Sequence, residues 1–128
     1  MLAVCGIVKK NGRVLMCKRP AGGPFPGYWE LPTECLDGDE SLEDALERVF
    51  FERLTVNLRQ KRPWGAVDCG LFKGDVNDDN VRLLGYEVEL EKNFFHIYGY
   101  DDFRWVKVSN LKKMRVLEPC VTMLTKKL

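Results

Sequence analysis

The stretch that decides the fold of this chain is residues 29–56, WELPTECLDGDESLEDALERVFFERLTV, and its second half predicts an amphipathic helix. Ser41 is a good N-cap with Asp44 three residues later, and the acidic residues just before it favour the positive start of a helix. The apolar residues that follow recur at helical spacing and form one stripe: Leu42, Ala45, Leu46, Val49 and Phe50. We expect the helix to end near Leu54, because the residues after it are poor helix formers.

Strands are predicted on both sides of this helix. Residues 2–8 and 13–19 flank Asn11-Gly12, a strong hairpin turn signal, and the Gly/Pro-rich loop that follows continues neither strand nor helix. Further extended segments are predicted at residues 29–31, 64–72, 81–90, 94–98 and 103–108, with a polar loop at 73–80. Pro119 is well placed in the first turn of a terminal helix. The pattern predicts a mixed α+β fold and a single domain over residues 1–128.

Charge and cysteine content narrow the functional classes. The chain has 20 basic and 19 acidic residues and a formal net charge of +1, so no bulk field draws it to nucleic acid or to a membrane. No apolar segment approaches the length of a membrane span, and the start of the chain does not resemble a signal peptide. The five cysteines are scattered and odd in number, which is typical of reduced thiols in a cytoplasmic protein. The single histidine, His96, excludes a zinc site with several histidine ligands.

Residues 34–56 resemble the box of the Nudix hydrolase superfamily, G-x5-E-x7-R-E-U-x-E-E-x-G-U, where U is a bulky aliphatic residue. Glu40, Arg48 and Glu52 match the first glutamate, the arginine and a later glutamate of that motif. Four positions depart from it, two at glycines and two at glutamates: Glu34, Thr55, Val49 and Arg53. The flanking segments also match in order, so the resemblance covers essentially the whole chain and is closest to MutT-like members. It implies the Nudix fold, a mixed β-sheet sandwiched between helices.

The resemblance also implies a chemistry. Nudix proteins hydrolyse a nucleoside diphosphate linked to another group, with water and Mg2+ or Mn2+, and carboxylates on one face of the box helix serve the reaction. The corresponding positions here are Val49, Glu52 and Arg53. Valine cannot ligate a metal, and a permanently charged guanidinium repels one. Because general base catalysis alone contributes about 10²–10⁴-fold, we expect pyrophosphohydrolase turnover to be weak or absent.

One interpretation is a rebuilt catalytic site, acting on a nucleoside triphosphate or a similar diphosphate. Glu52, Glu40 and Arg48 are then the catalytic residues, and the metal ligands for Mg2+ or Mn2+ are Glu52, Glu34 and Glu40. Glu34 supplies a carboxylate where the family has a bare glycine. The alternative role for Glu34 is an ion pair with Arg53 or Arg48.

The other interpretation is a non-catalytic module that binds a nucleotide or a modified base and needs no metal. Arg53 then takes the place of the metal and contacts a phosphate, since a guanidinium matches phosphate bidentately. Arg19 lies where the family often places phosphate or base contacts, and Phe25 and Trp29 flank a loop where a flat base could stack. Leu117 stands where MutT-like enzymes have an asparagine that reads an oxidised guanine, so 8-oxo-dGTP is a poor candidate. An interaction scaffold is the remaining alternative, and the oligomeric state stays open.

Overall fold

The computed structural model describes residues 1–69 and 81–126. The strands within them are β1 (Leu2–Lys10), β2 (Arg13–Lys18), β3 (Trp29–Glu30), β4 (Thr33–Cys35), β5 (Leu58–Cys69), β6 (Val81–Leu90) and β7 (Asp102–Val106). The helices are α1 (Leu42–Leu54), a 3-10 helix (Val108–Lys113) and α2 (Glu118–Lys126). The loop predicted at residues 73–80 lies outside the described residues. Within them, none of the helices has both the length and the apolar character needed to cross a bilayer.

The sheet is mixed. Its main path runs β3-β2-β1-β6-β5, with β4 paired to β1 and β7 paired to β2. β1 and β6 are parallel, and the other pairings among the described strands are antiparallel. The β1–β2 hairpin turns at Asn11 and Gly12, whose φ angles of 51° and 77° are the positive values that a type I′ turn requires. This confirms the predicted hairpin.

One α-helix packs on each face of the sheet. Successive side chains of a strand point to opposite faces, and β1 therefore contributes to two cores. Val4 and Val8 pack beneath α1 together with its apolar stripe, and this group is the α1-side core. Ala3, Cys5 and Ile7 point the other way, toward Met123 and Leu124 of α2, in the α2-side core. The predicted α+β architecture, a mixed sheet between helices, is confirmed.

Helix α1 begins and ends as predicted. Ser41 caps it, because its side chain accepts a hydrogen bond from the backbone N–H of Asp44 at 3.0 Å. After Leu54 the chain turns at Thr55, which adopts the left-handed conformation at φ 52° and ψ 38°. Glycine is the usual residue at such a helix end, since a side chain in this region costs about 1–2 kcal/mol. The second glycine of the Nudix box therefore falls on a backbone position that favours glycine, and this chain places a β-branched residue there.

Two strands differ from the prediction. Thr33–Cys35, for which no strand was predicted, forms β4 and pairs with β1, with Glu34 opposite Val4. β5 begins at Leu58, earlier than the predicted start at Trp64, because its charged first half already pairs with β6. The register between β5 and β6 shifts between Leu58 and Gln60 and again between Pro63 and Gly65, where the pairing is irregular. The last predicted residues of this strand, 70–72, lie outside the described residues.

The prediction of a strand at residues 94–98 was wrong. Its aromatic alternation is real, since Phe95 and Ile97 pack against the α1-side core while Phe94 and Tyr98 are 69% and 65% exposed. However, the backbone N–H groups in this segment donate to the end of α1: that of His96 to the Leu54 carbonyl and that of Tyr98 to the Arg53 carbonyl. The segment therefore closes over the helix end. The strand predicted at 103–108 occupies Asp102–Val106, and Pro119 lies in the first turn of α2, as predicted.

Candidate functional site

Arg48, in the middle of α1, gathers the loop that precedes the helix. Its Nε and Nη2 donate to the two carboxylate oxygens of Glu40 at 2.8 and 3.1 Å, and Nη2 also donates to the carbonyl of Cys35 at 3.0 Å. Its Nη1 lies 3.4 Å from Glu52, one turn along the helix, and 3.8 Å from Glu34 on β4. The hydrogen bonds from Arg48 hold the pKa of Glu40 below its usual value. The three carboxylates predicted as metal ligands therefore surround one guanidinium.

Arg53, in the last turn of α1, reaches over β4. Its Nη2 donates to Glu34 Oε2 at 2.9 Å, which confirms the ion pair proposed as the alternative role of Glu34. Its guanidinium also lies 5.4 Å from the ring centroid of Tyr100, within the range of a cation–π contact. Two of the four departures from the Nudix box, at positions 34 and 53, thus meet in one ion pair.

A third arginine approaches the same region from the end of β2. Arg19 donates through Nη1 to Glu30 Oε1 at 2.6 Å and through Nε to the Pro24 carbonyl at 2.7 Å. Glu30 is only 1% exposed, and its other oxygen accepts a hydrogen bond from the Tyr100 hydroxyl at 2.9 Å. Burial raises the pKa of Glu30, while Arg19 and Tyr100 oppose that shift. Arg19 is therefore oriented by a buried carboxylate that needs a charged partner.

Glu30 and Tyr100 were not predicted as site residues. The signal available for Glu30 was a pair of opposite charges, Arg19 and Glu30, at the two ends of the Gly/Pro-rich loop. The β2–β3 pairing, with Cys17 opposite Glu30, brings those ends together. Tyr100 carries no comparable signal, since it is far from the box in sequence and reaches the site only because residues 94–98 fold back over α1.

A pocket of about 260 Å³ opens between Arg19 and Arg53. These two arginines and the carboxylates Glu30 and Glu34 supply its charged walls, and Pro24, Thr33 and Cys35 complete the lining. Ligand pockets typically measure about 300–1,000 Å³, so this one suits a small group such as a diphosphate and leaves the rest of a nucleotide outside. Guanidinium groups on two walls are suited to phosphate oxygens.

The two aromatic residues predicted to stack on a base differ in exposure. Trp29 is 6% exposed and lies in the α2-side core, and the Arg104 guanidinium lies 4.9 Å from its ring centroid. Residues of the protein itself therefore cover most of its ring, and the stacking role predicted for Trp29 stays a prediction. Phe25 is half-buried beside the pocket, with the Arg19 guanidinium 6.0 Å from its ring centroid. Of the two, Phe25 is the more exposed ring, and it lies next to Arg19 without lining the pocket itself.

The fold and the box define a Nudix protein. The chain belongs to this family, because the family model described as NUDIX domain matches residues 1–122. The chain is 30% identical over 128 residues to the nucleoside triphosphatase NudI of Klebsiella pneumoniae subsp. pneumoniae, and that alignment covers 85% of this chain and 83% of the relative.

Solved structures show the same fold. A MutT NUDIX hydrolase from Burkholderia pseudomallei superposes with a TM-score of 0.83 at 18% identity, covering 99% of this chain and 96% of that one. The NUDIX domain of NrtR from Shewanella oneidensis, solved in complex with ADP ribose, superposes with a TM-score of 0.74 at 20% identity, covering 98% and 86%. The predicted Nudix superfamily membership, of the MutT-like type, is thereby confirmed.

Nudix hydrolases generally use a divalent metal ion, and the described residues do not fit one. Glu34, Glu40 and Glu52 each lie within 4.0 Å of a nitrogen of Arg48, and Glu34 also pairs with Arg53. Among residues 1–69 and 81–126, no three His, Cys, Asp or Glu side chains converge as a metal site requires. Val49, at a glutamate position of the box, is fully buried in the α1-side core. The guanidinium groups of Arg48 and Arg53 lie against the carboxylates that were predicted to hold the ion.

Proposed function

We propose that this protein binds the phosphate groups of a nucleoside di- or triphosphate between Arg19 and Arg53, and that its pyrophosphohydrolase turnover is weak or absent. The observation that carries the proposal is the position of the Arg53 guanidinium, which lines the pocket from a box position where Nudix enzymes carry a glutamate. A guanidinium offers two parallel N–H donors to a phosphate and needs no metal ion to do so. Phe25 is the candidate contact for the base.

The named relatives support this class of ligand. NudI is a nucleoside triphosphatase by name, and the NrtR domain was solved with ADP ribose, so both names point to a nucleoside joined to phosphate. A nucleotide or another phosphate-bearing small molecule is therefore the expected partner. A net charge of +1 gives no reason to expect nucleic acid. The scattered cysteines keep the cytoplasm as the proposed location.

A hydrolysis assay tests the proposal that pyrophosphohydrolase turnover is weak or absent. Release of phosphate and pyrophosphate is measured from NTPs, dNTPs and nucleoside-diphosphate sugars, with Mg2+ and with Mn2+. A Glu52→Gln protein, prepared identically, controls for a contaminating hydrolase. We expect the two proteins to give the same low rate, because Glu52 is 57% exposed and bound to Arg48 rather than grouped with carboxylates of its own helix face.

A second candidate function is a hydrolase with a rebuilt site, and one observation favours it. Glu34, Glu40 and Glu52 come from a strand, a loop and a helix, and each approaches the guanidinium of Arg48. In that case Glu52 and Glu40 act as catalytic residues and Arg48 positions them. Turnover that requires Mg2+ or Mn2+ and disappears in Glu52→Gln would favour this candidate and contradict the weak-turnover proposal.

A further inference from the structure

Glu34 lies between the two arginines of α1. Its Oε2 is 2.9 Å from Nη2 of Arg53 and 3.8 Å from Nη1 of Arg48. The pairing of β4 with β1 fixes its backbone opposite Val4, and its Oε1 accepts a hydrogen bond from the backbone N–H of Cys35 at 3.2 Å, so Oε2 changes partner by a rotation of the side chain that shifts this hydrogen bond. The side chain is 25% exposed and lines the pocket beside Arg53. Its carboxylate therefore occupies the same Arg53 nitrogen that a phosphate oxygen would use.

Arg48 is a suitable second partner for this carboxylate. Its Nε and Nη2 are fixed by Glu40 and by the carbonyl of Cys35, so its position does not depend on Glu34. Its Nη1 points toward Glu34 and Glu52 at distances too long for short hydrogen bonds, 3.8 and 3.4 Å. A small rotation of the Glu34 side chain would shorten the longer of these contacts. The carboxylate thus has an alternative cation within reach when it leaves Arg53.

We propose that Glu34 is a built-in competitor for the ligand: a phosphate group displaces its carboxylate from Arg53, and the carboxylate turns to Arg48. The inference rests on the proposed function and adds a residue that sets the affinity and the ligand class of the same pocket. The Nudix box has glycine at position 34 and glutamate at position 53, so the ion pair between Glu34 and Arg53 depends on two departures from the box.

The competition determines which anions bind well. Glu34 is held on its strand at a high local concentration, so a ligand that contacts Arg53 alone exchanges one anion for another with little gain. A ligand with two linked phosphates gains a further contact on Arg19, the other arginine that lines the pocket. The structure therefore favours diphosphates and triphosphates over a single phosphate, and it does so through charge and geometry rather than through a metal.

The test is a titration of inorganic pyrophosphate, and of ADP, into the wild type and Glu34→Gln in the presence of EDTA, followed by isothermal calorimetry. Glutamine keeps the size of the side chain and removes its charge. We expect Glu34→Gln to bind both ligands about 3- to 10-fold more tightly, the range expected for a partly buried ion pair that no longer competes. Glu34→Gly, the residue of the Nudix box, is the second variant and should also bind more tightly.

A matched control separates competition from net charge. Glu47→Gln removes the same charge from α1, where Glu47 pairs with Lys61 at 3.2 Å and does not line the pocket. We expect its affinity for pyrophosphate to stay within about twofold of the wild type. In an Arg53→Met background, Glu34→Gln should have no comparable effect, because the carboxylate and the phosphate no longer share a partner.

The outcomes separate this inference from the proposed function. Equal or weaker binding by Glu34→Gln and Glu34→Gly, with a wild type that binds ADP, would overturn the competition and leave the proposed function intact. Binding of neither pyrophosphate nor ADP by any of the folded proteins would overturn both. An equal gain in the Arg53→Met background would also overturn the competition, since the effect of Glu34 would then not pass through Arg53.

Discussion

The two ends of helix α1 differ in how closely they match the Nudix box. At its start, Ser41 caps the helix, and the bidentate Glu40–Arg48 pair keeps two residues that the Nudix box specifies. In its second half, two of the three glutamate positions of the box carry a buried valine and Arg53, Glu52 is kept, and Thr55 occupies a glycine position just after the helix. Both ends nevertheless belong to one regular helix packed on one core. The fold therefore depends on the apolar stripe, the cap and the Arg48 contacts, and it tolerates the changes at positions 49, 53 and 55.

The largest effect should come from the buried stripe that both ends share. Phe50 is fully buried, and its ring packs so closely against Gly6 that a Cβ there would have no room. Phe51, its neighbour in sequence, is 61% exposed. We expect Phe50→Ala to lower the free energy of unfolding by about 3–5 kcal/mol, and Phe51→Ala to change it by about 0.5 kcal/mol or less. Urea denaturation measures both, and similar losses in the two variants would contradict the packing.

The next largest change in the free energy of unfolding is expected at Arg48, with Arg53 as the comparison. Arg48→Met removes both hydrogen bonds to Glu40 and the one to the Cys35 carbonyl, so we expect a loss of about 1–3 kcal/mol in the free energy of unfolding. Arg53→Met leaves Glu34 with Arg48 as a neighbour, and we expect a loss of about 1 kcal/mol or less. If Arg53→Met were the more destabilising variant, the last turn would carry the structural role assigned here to Arg48.

Stability measured as a function of pH tests the ion pair between Glu40 and Arg48 at the start of α1. The pKa of Glu40 is lowered in the folded protein by its hydrogen bonds to Arg48, so its contribution is complete above the unfolded value of 4.5. That contribution is lost as the pH falls through the lower folded value. The stability difference between the wild type and Glu40→Gln, from urea curves at several pH values, should therefore shrink below about pH 4.5. A difference that is constant across this range would argue against the ion pair.

The smallest effect lies at Thr55. Thr55→Gly and Thr55→Ala both remove the hydroxyl group, which bonds to the Leu54 and His96 carbonyls, but only alanine keeps a Cβ in the left-handed region. We therefore expect the glycine variant to be the more stable of the two by about 1 kcal/mol. Thermal unfolding of the pair measures this difference. A more stable alanine variant would mean that residue 55 relaxes out of the left-handed conformation.

Local patterns were sufficient for most of the fold and for part of the site. The Asn11-Gly12 turn, the Ser41 cap and the stripe of α1 each depend on neighbours in sequence, and each was predicted correctly. The segment at residues 94–98 has the alternation of a strand, yet its hydrogen bonds go to the end of α1, a partner that alternation does not identify. Trp29 is buried for the same kind of reason, since Arg104 and the α2-side core cover it from distant parts of the chain.

The residues of the candidate site were likewise only partly predictable from the sequence. The departures at positions 34 and 53 were visible in the sequence because the Nudix box has a fixed spacing, and their ion pair was a predicted alternative. Glu30, the buried partner of Arg19, could be identified only from the folded sheet. Tyr100, which contacts both Glu30 and Arg53, could be identified only from the folded loop. The motif therefore named the residues on the helix, whereas the partners from the strands and loops needed the tertiary structure.

In the proposed function, Arg53 receives the phosphate in place of a divalent ion. Binding of ADP, measured by calorimetry in EDTA and again in excess Mg2+, on the wild type and on Arg53→Glu, tests it most directly. We predict that the wild type binds ADP in EDTA at least as tightly as in Mg2+, and that Arg53→Glu loses about tenfold or more of that affinity, because a charge that attracts phosphate becomes one that repels it. Binding that requires Mg2+ and survives in Arg53→Glu would contradict the account.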